Sequence, residues 1–305
     1  MSQANHNILI ADAKTHTAIT EEQAQFFREN GFLIIRNLLE NKELQVLQDE
    51  MQTLLDRGMS GVEGDNDYQY GKGTKSGGKV LKRIEYVVDK SVPTRALLAH
   101  PFVLNSVEKL QGNNFIPTWD SMVIKMPNEG IIVPWHRDAE RPVGCADDRP
   151  IFNVDFYLDS ADIKSCLWVI PGSNLWTIEA SKERCSREGF ETSDAIPVPL
   201  EAGDAILHDI TVVHGSPSGD GNALRRTIYF EFRPGEIELE FGPHNREYLS
   251  LKQQVLLECI ETRKAASYIG NEKPYEYKPS GELSISGTIK PNTFRYPHEE
   301  YWIGQ

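Results

Sequence analysis

The sequence predicts a mainly β protein with flanking helices, in which the strands form a jelly roll (a double-stranded β-helix). Three observations support this prediction. Seven strand-like segments follow one another between residues 121 and 234, with little helix between them. Glycine, proline, asparagine and aspartate separate these segments, as they do in turns. Helical periodicity lies mainly before and after this stretch, which disfavours alternating strands and helices around a parallel sheet.

The N-terminal part is predicted to contain two helices separated by a strand. Thr20 and Gln23 form a capping box for a helix over residues 21–30, and Gly31 ends that helix before an apolar strand. A second helix over residues 41–57 carries apolar residues at steps of three and four, so that they share one face. We interpret that face as a stripe that packs against the core.

Residues 61–78 contain six glycines and are predicted to form an exposed loop that could serve as a lid. The segment matches neither of two common phosphate-binding patterns, GxxxxGK[ST] and GxGxxG after a strand. A strand is predicted over residues 80–88, followed by two short helical pieces over residues 94–100 and 102–110.

The strands predicted for the jelly roll, in chain order, are SMVIKMP, GIIVPWHRD, IFNVDFYLD, SCLWVIPG, AIPVPL, DAILHDITVVHG and RRTIYFEFRP. A helix is predicted to begin at residue 246 and to end near residue 264. We therefore expect an N-terminal tail at 1–18, a jelly-roll domain with N-terminal helices at 19–235, and a C-terminal helical extension packed on the barrel at 236–305, irregular from residue 265.

Composition narrows the classes of partner. The chain has 305 residues and a formal charge of −13. Because such a chain repels nucleic acid and anionic membranes, we expect a small-molecule substrate and no nucleic-acid or membrane partner. The first residues lack a signal-peptide pattern and no run of about 18 apolar residues occurs, so we expect a cytoplasmic protein. We also expect either a monomer or a homodimer. Four scattered cysteines without a CxxC pair indicate reduced thiols.

The stretch VPWHRDAE at residues 133–140 indicates a metal site. In a strand, positions i and i+2 point to the same face, so His136 and Asp138 would present an imidazole and a carboxylate side by side. Two histidines and one carboxylate form the facial triad of non-haem Fe(II) oxygenases, which leaves coordination positions open. A second histidine must therefore come from elsewhere in the chain.

Two of the remaining histidines, His208 and His214, lie on predicted strands of the barrel. They are six residues apart, so one unbroken strand would place both on one face, and periodicity does not choose between them. The neighbourhood favours His214, since Gly-Ser follows it and Arg225 comes eleven residues later. We interpret the other histidines as ordinary surface or packing residues: His6, His16, His100, His244 and His298.

An arginine near the metal site could bind a ligand that carries a carboxylate. Its guanidinium holds a carboxylate through two points, whereas lysine acts as a point charge. Alternation along the last predicted strand places Arg225, Thr227 and Tyr229 on one face. Arg226 lies on the opposite face together with Ile228.

Four stretches together resemble the phytanoyl-CoA dioxygenase family of Fe(II)- and 2-oxoglutarate-dependent oxygenases, which have a cupin-like jelly roll. They are ITEEQAQFFRENGFLIIRNLL, the HRD of residues 136–138, SCLWVIPGSNLW and GDAILHDITVVHGSPSGDGNALRR. The resemblance covers about residues 19–235. The family pattern is HxD, a distal histidine followed by Gly-Ser, and an arginine about eleven residues further on.

This resemblance implies that His136, Asp138 and His214 hold Fe(II), and that 2-oxoglutarate and O2 are cosubstrates. It also implies that Arg225 binds the C5 carboxylate of 2-oxoglutarate, with Ser216 as a helper and Arg226 as the alternative arginine. The expected reaction is hydroxylation of an unactivated C–H bond, with release of succinate and CO2. Arg137 departs from the glutamine that is frequent at the middle of HxD. Ser165 and Asn174 replace the glycine and histidine that are more usual in the third stretch.

Candidate substrate contacts are residues on predicted strands near the motif: Lys125, Trp135, Arg137, Asn153, Phe156, Tyr157 and Trp168. If several of them line the pocket, their charges favour an anionic or zwitterionic substrate. Three alternatives stay open: desaturation or cyclisation instead of hydroxylation, a jelly-roll module that binds metal or ligand without turnover, and a zinc hydrolase that uses the same ligands.

Overall fold

The computed structural model describes residues 8–62, 64–218, 223–285, 287 and 290–302. Within these residues the strands form two sheets. The larger sheet has eight strands in the order β1 (Ile10–Asp12), β2 (Phe32–Arg36), β10 (Ala205–Asp209), β7 (Phe152–Tyr157), β12 (Arg225–Pro234), β5 (Phe115–Lys125), β4 (Lys79–Glu85) and β3 (Tyr68–Lys72). The smaller sheet has the order β6 (Val133–His136), β11 (His214–Ser216), β8 (Leu167–Val169) and β9 (Ile196–Val198).

Helices surround this pair of sheets. They are α1 (Glu21–Asn30), α2 (Asn41–Met59), α3 (Val87–Lys90), α4 (Val92–Leu98), α5 (Pro101–Gln111), α6 (Ile178–Cys185), α7 (Gly235–Phe241) and α8 (Arg246–Ala265). The predicted capping box of α1 is present, since the Thr20 hydroxyl accepts from the Gln23 backbone N–H at 3.2 Å and the Gln23 side chain accepts from the Thr20 N–H at 2.8 Å. Gly31 ends the helix with φ of 78°.

The two faces of the larger sheet have different partners, as the alternation of its strands requires. Phe152, Val154 and Phe156 of β7 are fully buried in the main core, which includes residues of the helices. The residues between them, Asn153 and Asp155, line a cavity that the smaller sheet also lines. The predicted mainly β jelly roll with flanking helices is therefore confirmed, and the cavity lies between its two sheets.

Several predicted elements differ in the structure. The glycine-rich segment 61–78 contains strand β3, which pairs with β4 as a hairpin instead of forming only a loop. The strand predicted over residues 80–88 ends at Glu85, because Tyr86 adopts a left-handed φ of 54° and the chain continues as α3.

The predicted strand DAILHDITVVHG is broken into β10 and β11, so His208 and His214 belong to different sheets. The two imidazole rings nevertheless approach each other, with 4.7 Å between ring centroids. Three helices, α3, α6 and α7, were not predicted. Ile10–Asp12, in the segment predicted as a tail, adds a parallel edge strand beside β2.

Helix α8 lies against β5. The Tyr248 hydroxyl donates to the carbonyl of Thr118 at 2.6 Å, and Arg263 forms a buried ion pair with Glu43 of α2 at 2.7 Å. Apart from two single turns of 3-10 helix, the described residues after α8 are irregular, as predicted. None of the helices in the described ranges has the length and apolar character needed to cross a membrane.

Candidate metal centre

Two neighbouring strands of the smaller sheet bring the predicted ligands together. His136 is the last residue of β6 and His214 is the first residue of β11, and these two residues are direct partners in the antiparallel ladder. Asp138 follows β6 by two residues. One potential ligand atom from each residue lies within 4.8 Å of those of the other two.

The backbone sets the orientation of both imidazoles. The Nδ1 atom of His136 lies 2.8 Å from the carbonyl of Pro134, and the Nδ1 atom of His214 lies 3.0 Å from the carbonyl of Val212. A carbonyl accepts only from a protonated nitrogen, so each ring carries its proton on Nδ1 and directs the lone pair of Nε2 away from the backbone. Both Nε2 atoms face Asp138, at 3.5 Å and 3.7 Å from its Oδ1 atom.

The second carboxylate oxygen of Asp138 is held by neighbours on the larger sheet. Asn153 donates to Oδ2 at 2.8 Å, and His208 Nε2 lies 2.9 Å from the same atom. The other ring nitrogen of His208 lies 3.3 Å from Asp155. His208 therefore connects two carboxylates and is turned toward Asp138 Oδ2 instead of joining the three converging atoms.

Electrostatics favour the ligand form of His214 and Asp138. Burial lowers the pKa of His136, but the hydrogen bond and charge of Asp138 outweigh burial and raise it above its ordinary value, so a metal ion competes with a proton at this ring. Burial and the nearby His136 lower the pKa of His214 to about 3, so its imidazole is neutral. Burial raises the pKa of the Asp138 carboxyl, but the imidazoles of His214, His136 and His208 outweigh this effect and hold it well below its usual range. Burial also lowers the pKa of His208, but Asp155 and Asp138 outweigh burial and raise it to about 10, so this ring is a cation between two carboxylates.

The two imidazoles and the ionised carboxylate match the two-histidine, one-carboxylate set that holds Fe(II) with positions left open. The carboxylate side chain is 29% exposed toward the cavity, whereas the His214 side chain is 5% exposed. The geometry thus provides donors on one side of a metal ion and space on the other.

The cavity beside these residues has a volume of about 310 Å³. Its wall includes the three candidate ligands and, from β12, Arg225, Thr227 and Tyr229. The predicted alternation along this strand is therefore present. Arg225 is 5% exposed and donates to the carbonyl of Ser165 at 2.7 Å, and its Nε atom has no hydrogen-bond partner among the described residues. Ser216, at the end of β11, lines the same cavity.

Only some of the predicted contacts reach this cavity. Lys125, Asn153 and Tyr157 line it. Arg226 lies on the opposite face of β12 and forms a two-point ion pair with Asp159, with both N–O distances at 2.9 Å. Phe156 also faces the core, where it packs on Phe230.

Trp135 and Arg137, which alternate with His136 and Asp138 along the chain, point away from the cavity. Trp135 stacks on Phe190 at a centroid distance of 4.7 Å, and Arg137 donates to the backbone carbonyls of Ser173 and Trp176. Trp168 lies on the same outer side, edge-on to Phe190 at 6.4 Å. These three residues do not line the cavity.

Sequence reasoning missed several residues of the site. His208 was considered only as a rival ligand, and Asp155 was not considered. A second cavity of about 380 Å³ also borders Asp138 and Asn153. Its wall comes partly from the C-terminal extension and combines aromatic with charged side chains. The aromatic residues are Trp119, Tyr229, Tyr248 and Trp302, and the charged residues include Arg83, Glu231 and Arg233. The alternation of β7 could have identified Asp155, which is two residues from Asn153, but no sequence signal connects distant Trp302 with the motif.

The jelly roll and the histidine–aspartate–histidine set define the class of Fe(II)- and 2-oxoglutarate-dependent oxygenases. Comparison with known proteins agrees. The family model described as phytanoyl-CoA dioxygenase matches residues 27–227, and the chain belongs to that family. It is therefore a dioxygenase that uses Fe(II), 2-oxoglutarate and O2.

Individual relatives are distant. The chain is 23% identical to the human protein named phytanoyl-CoA dioxygenase, peroxisomal, over 71% of this chain and 69% of that one. The crystal structure of AviO1 from Streptomyces viridochromogenes Tue57 is 27% identical with a TM-score of 0.59, covering 72% of this chain and 96% of that one. The structure of EvdMO1 is 28% identical with a TM-score of 0.58, covering 70% of this chain but only 49% of the longer EvdMO1 chain.

Proposed function

We propose that His136, Asp138 and His214 hold the Fe(II), and that Arg225 binds the distal carboxylate of 2-oxoglutarate with Ser216 beside it. The observation that carries this proposal is the cavity itself. Three converging metal donors and a buried guanidinium without a carboxylate partner among the described residues line one space. A dicarboxylate that binds the metal at one end needs such a cation at the other.

We further propose that the enzyme hydroxylates an unactivated C–H bond of a small metabolite and releases succinate and CO2. When bound, Fe(II) supplies the activation of O2 and the oxidation of the C–H bond. The residues of the chain supply the remaining requirements. Asn153 and His208 fix the Asp138 carboxylate, and the carbonyls of Pro134 and Val212 fix both imidazoles.

The second cavity is our proposal for the substrate site, because it reaches Asp138 from another side than the wall that carries Arg225. Its aromatic residues favour a substrate with an apolar or ring-shaped part. Substitution of Trp302 by alanine should then raise the KM for the substrate while leaving the affinity for 2-oxoglutarate unchanged. An unchanged KM for the substrate together with a weaker affinity for 2-oxoglutarate would contradict substrate binding in this cavity.

The first test is an anaerobic titration of the metal-free protein with Fe(II) and 2-oxoglutarate, monitored by the visible charge-transfer band of the chelate. We expect the band in the wild type and in Trp168→Ala, and its loss in His214→Ala. Absence of the band in the wild type, together with tight zinc binding, would favour a hydrolase or a module without turnover. Succinate release with an oxidised product lacking a new hydroxyl would favour desaturation or cyclisation.

A further inference from the structure

Two buried cations lie side by side in the proposed cosubstrate cavity. Lys125 on β5 and Arg225 on β12 are direct partners in the antiparallel ladder, so their side chains leave the sheet on the same face. Both line the cavity, and they are only 4% and 5% exposed. Neighbouring like charges at this depth need a compensating anion.

The described part of the protein contributes no such anion by direct contact. Lys125 donates to the backbone carbonyls of Pro217 and Ile131, and Arg225 donates to the carbonyl of Ser165. Neither side chain forms an ion pair with a carboxylate of the described residues. Carbonyl groups satisfy hydrogen-bond donors but leave the net charge in place.

Besides the histidines, four other charged residues line this cavity, and none of them pairs with Lys125 among the described residues. Asp138 and Asp155 contact His208, Arg83 pairs with Glu85, and Lys82 is exposed. Burial raises the pKa of the Cys166 thiol to about 11 and raises the pKa of the Tyr157 phenol further, so both are neutral near pH 7. Arg225 is the charged neighbour. Burial, and then the Arg225 guanidinium, lower the pKa of Lys125 to about 7, so a large fraction of this side chain is neutral in the empty site.

We propose that Lys125 is a second binding residue for 2-oxoglutarate, whose distal carboxylate lies between Lys125 and Arg225, and that cosubstrate binding is accompanied by proton uptake on Lys125. This inference rests on the proposed function, because it requires 2-oxoglutarate in this cavity. It reassigns Lys125 from the substrate to the cosubstrate.

The sign of the pH dependence follows from the charges. An incoming carboxylate stabilises the ammonium form, so the pKa of Lys125 rises on binding. Below the pKa of the empty site the lysine is already protonated, and affinity is independent of this group. Above it, each further pH unit should weaken 2-oxoglutarate binding by about tenfold until the pKa of the complex is reached.

The test is anaerobic calorimetric titration of the Mn(II)-loaded protein with 2-oxoglutarate, at about pH 6 and about pH 9, in buffers of different ionisation enthalpy. The variants are Lys125→Met and, as a matched control, Lys79→Met, which removes an exposed lysine of the adjacent strand β4 that does not line the cavity. A parallel titration uses 2-oxobutyrate, which keeps the metal-chelating end of 2-oxoglutarate but lacks the distal carboxylate.

We expect the wild type and Lys79→Met to take up about one proton more than Lys125→Met when 2-oxoglutarate binds at about pH 9. At neutral pH, Lys125→Met should bind 2-oxoglutarate at least about tenfold more weakly. Affinity for 2-oxobutyrate should be the same in all three proteins.

Equal proton uptake in the wild type and Lys125→Met, or an equal loss of affinity for both oxoacids, would overturn the role of Lys125. Failure of the wild type to bind 2-oxoglutarate with any metal would instead refute the proposed function. If Lys125→Met did not fold, the proton uptake of the wild type alone would decide, since absence of uptake contradicts the proposal.

Discussion

The two oxygens of Asp138 have different neighbours. Oδ1 faces the Nε2 atoms of His136 and His214, whereas Oδ2 accepts hydrogen bonds from Asn153 and His208. Because Oδ2 is already engaged by the protein, the carboxylate presents a single oxygen on the side of the imidazoles. This arrangement favours one-point coordination and leaves room for a chelating cosubstrate.

Asp138→Ala should therefore remove metal binding while the fold persists. We expect the affinity for Mn(II) to fall by at least about 100-fold, measured by anaerobic calorimetry, since even residues that only support ligands contribute about 10- to 100-fold. Asp148→Ala is the control, because this exposed aspartate follows the same strand and lies outside the cavity. Undiminished metal affinity in Asp138→Ala would exclude the proposed triad.

Adjacent arginines on β12 allow a matched comparison. Arg225→Ala should weaken 2-oxoglutarate binding by about 2–4 kcal/mol, because a buried cation that pairs with the distal carboxylate is lost. Arg226→Ala should leave that affinity unchanged but reduce the free energy of unfolding by about 3 kcal/mol, because Asp159 loses its partner. Calorimetry and urea denaturation separate the two effects, and a reversed result would exchange the roles of the two residues.

Alternation of strand side chains explains which residue predictions reached the site. The rule that places His136 and Asp138 on one face also directs Trp135 and Arg137 to the other face, where they contact Phe190 and backbone carbonyls. Alternation thus placed His136, Asp138 and Arg225 at the proposed site, whereas His214 was chosen over His208 from its neighbourhood and the family resemblance. The role of His208 was not accessible from the sequence, because it depends on where β10 ends and on a contact with Asp155 across the sheet.

At the level of elements, the short ladder between β6 and β11 positions both histidines. These strands have only four and three residues, and one of the rungs joins His136 directly to His214. Gly215 makes the close pairing possible, since a Cβ atom at this position would lie 2.9 Å from the carbonyl oxygen of Val133 and 3.0 Å from the Phe190 ring. The glycine that follows His214 is thus a packing requirement.

Gly215→Ala should destabilise the protein by about 1–3 kcal/mol and weaken metal binding, because the added methyl group pushes β6 and His136 away. Thermal unfolding and Mn(II) titration measure the two effects. The control is Gly270→Ala, where a Cβ atom would meet only the Glu40 carboxylate at an ordinary 3.5 Å. Unchanged metal affinity in Gly215→Ala would show that the ladder tolerates a wider spacing.

Elements with strong local signals were predicted well, and weakly patterned ones were not. Helices α1 and α2 have caps or an apolar stripe in their own sequence, and both are present. Strand β3, with the sequence YQYGK, is polar and contains glycine, so its own sequence carries no strong strand signal. Its backbone hydrogen bonds come from antiparallel pairing with β4. The break between His208 and His214 was also hidden, because apolar residues continue through the turn.

On the scale of the whole molecule, one buried arginine joins the C-terminal extension to the N-terminal helices. Arg263 of α8 pairs with Glu43 of α2 at 2.7 Å, donates to the carbonyl of Ala96 and pairs with Glu272. Arg263 and Glu43 are less than 6% exposed. This ion pair therefore adds to the apolar contacts that hold α8 and the wall of the second cavity in place.

Arg263→Met should lower the free energy of unfolding by about 3–5 kcal/mol, because Glu43 would be left as an unpaired buried charge. The double variant Glu43→Leu/Arg263→Met should recover much of this loss, since well-packed apolar residues can replace a buried pair. Denaturant unfolding of the two variants beside the wild type tests both expectations. A double variant no more stable than Arg263→Met would show that the loss in the free energy of unfolding comes mainly from the contacts of Arg263 with Glu272 and the Ala96 carbonyl.

The second cavity takes Tyr248 and Trp302 from beyond residue 227, where the match to the family model ends. Evolution can therefore change this wall through substitutions in the C-terminal part of the chain or through its exchange. The strands that carry the proposed iron ligands can meanwhile keep their sequence. Paralogues that share the catalytic strands and differ in this tail would be expected to oxidise different metabolites, and tail-swapped chimaeras would inherit the preference of the tail donor.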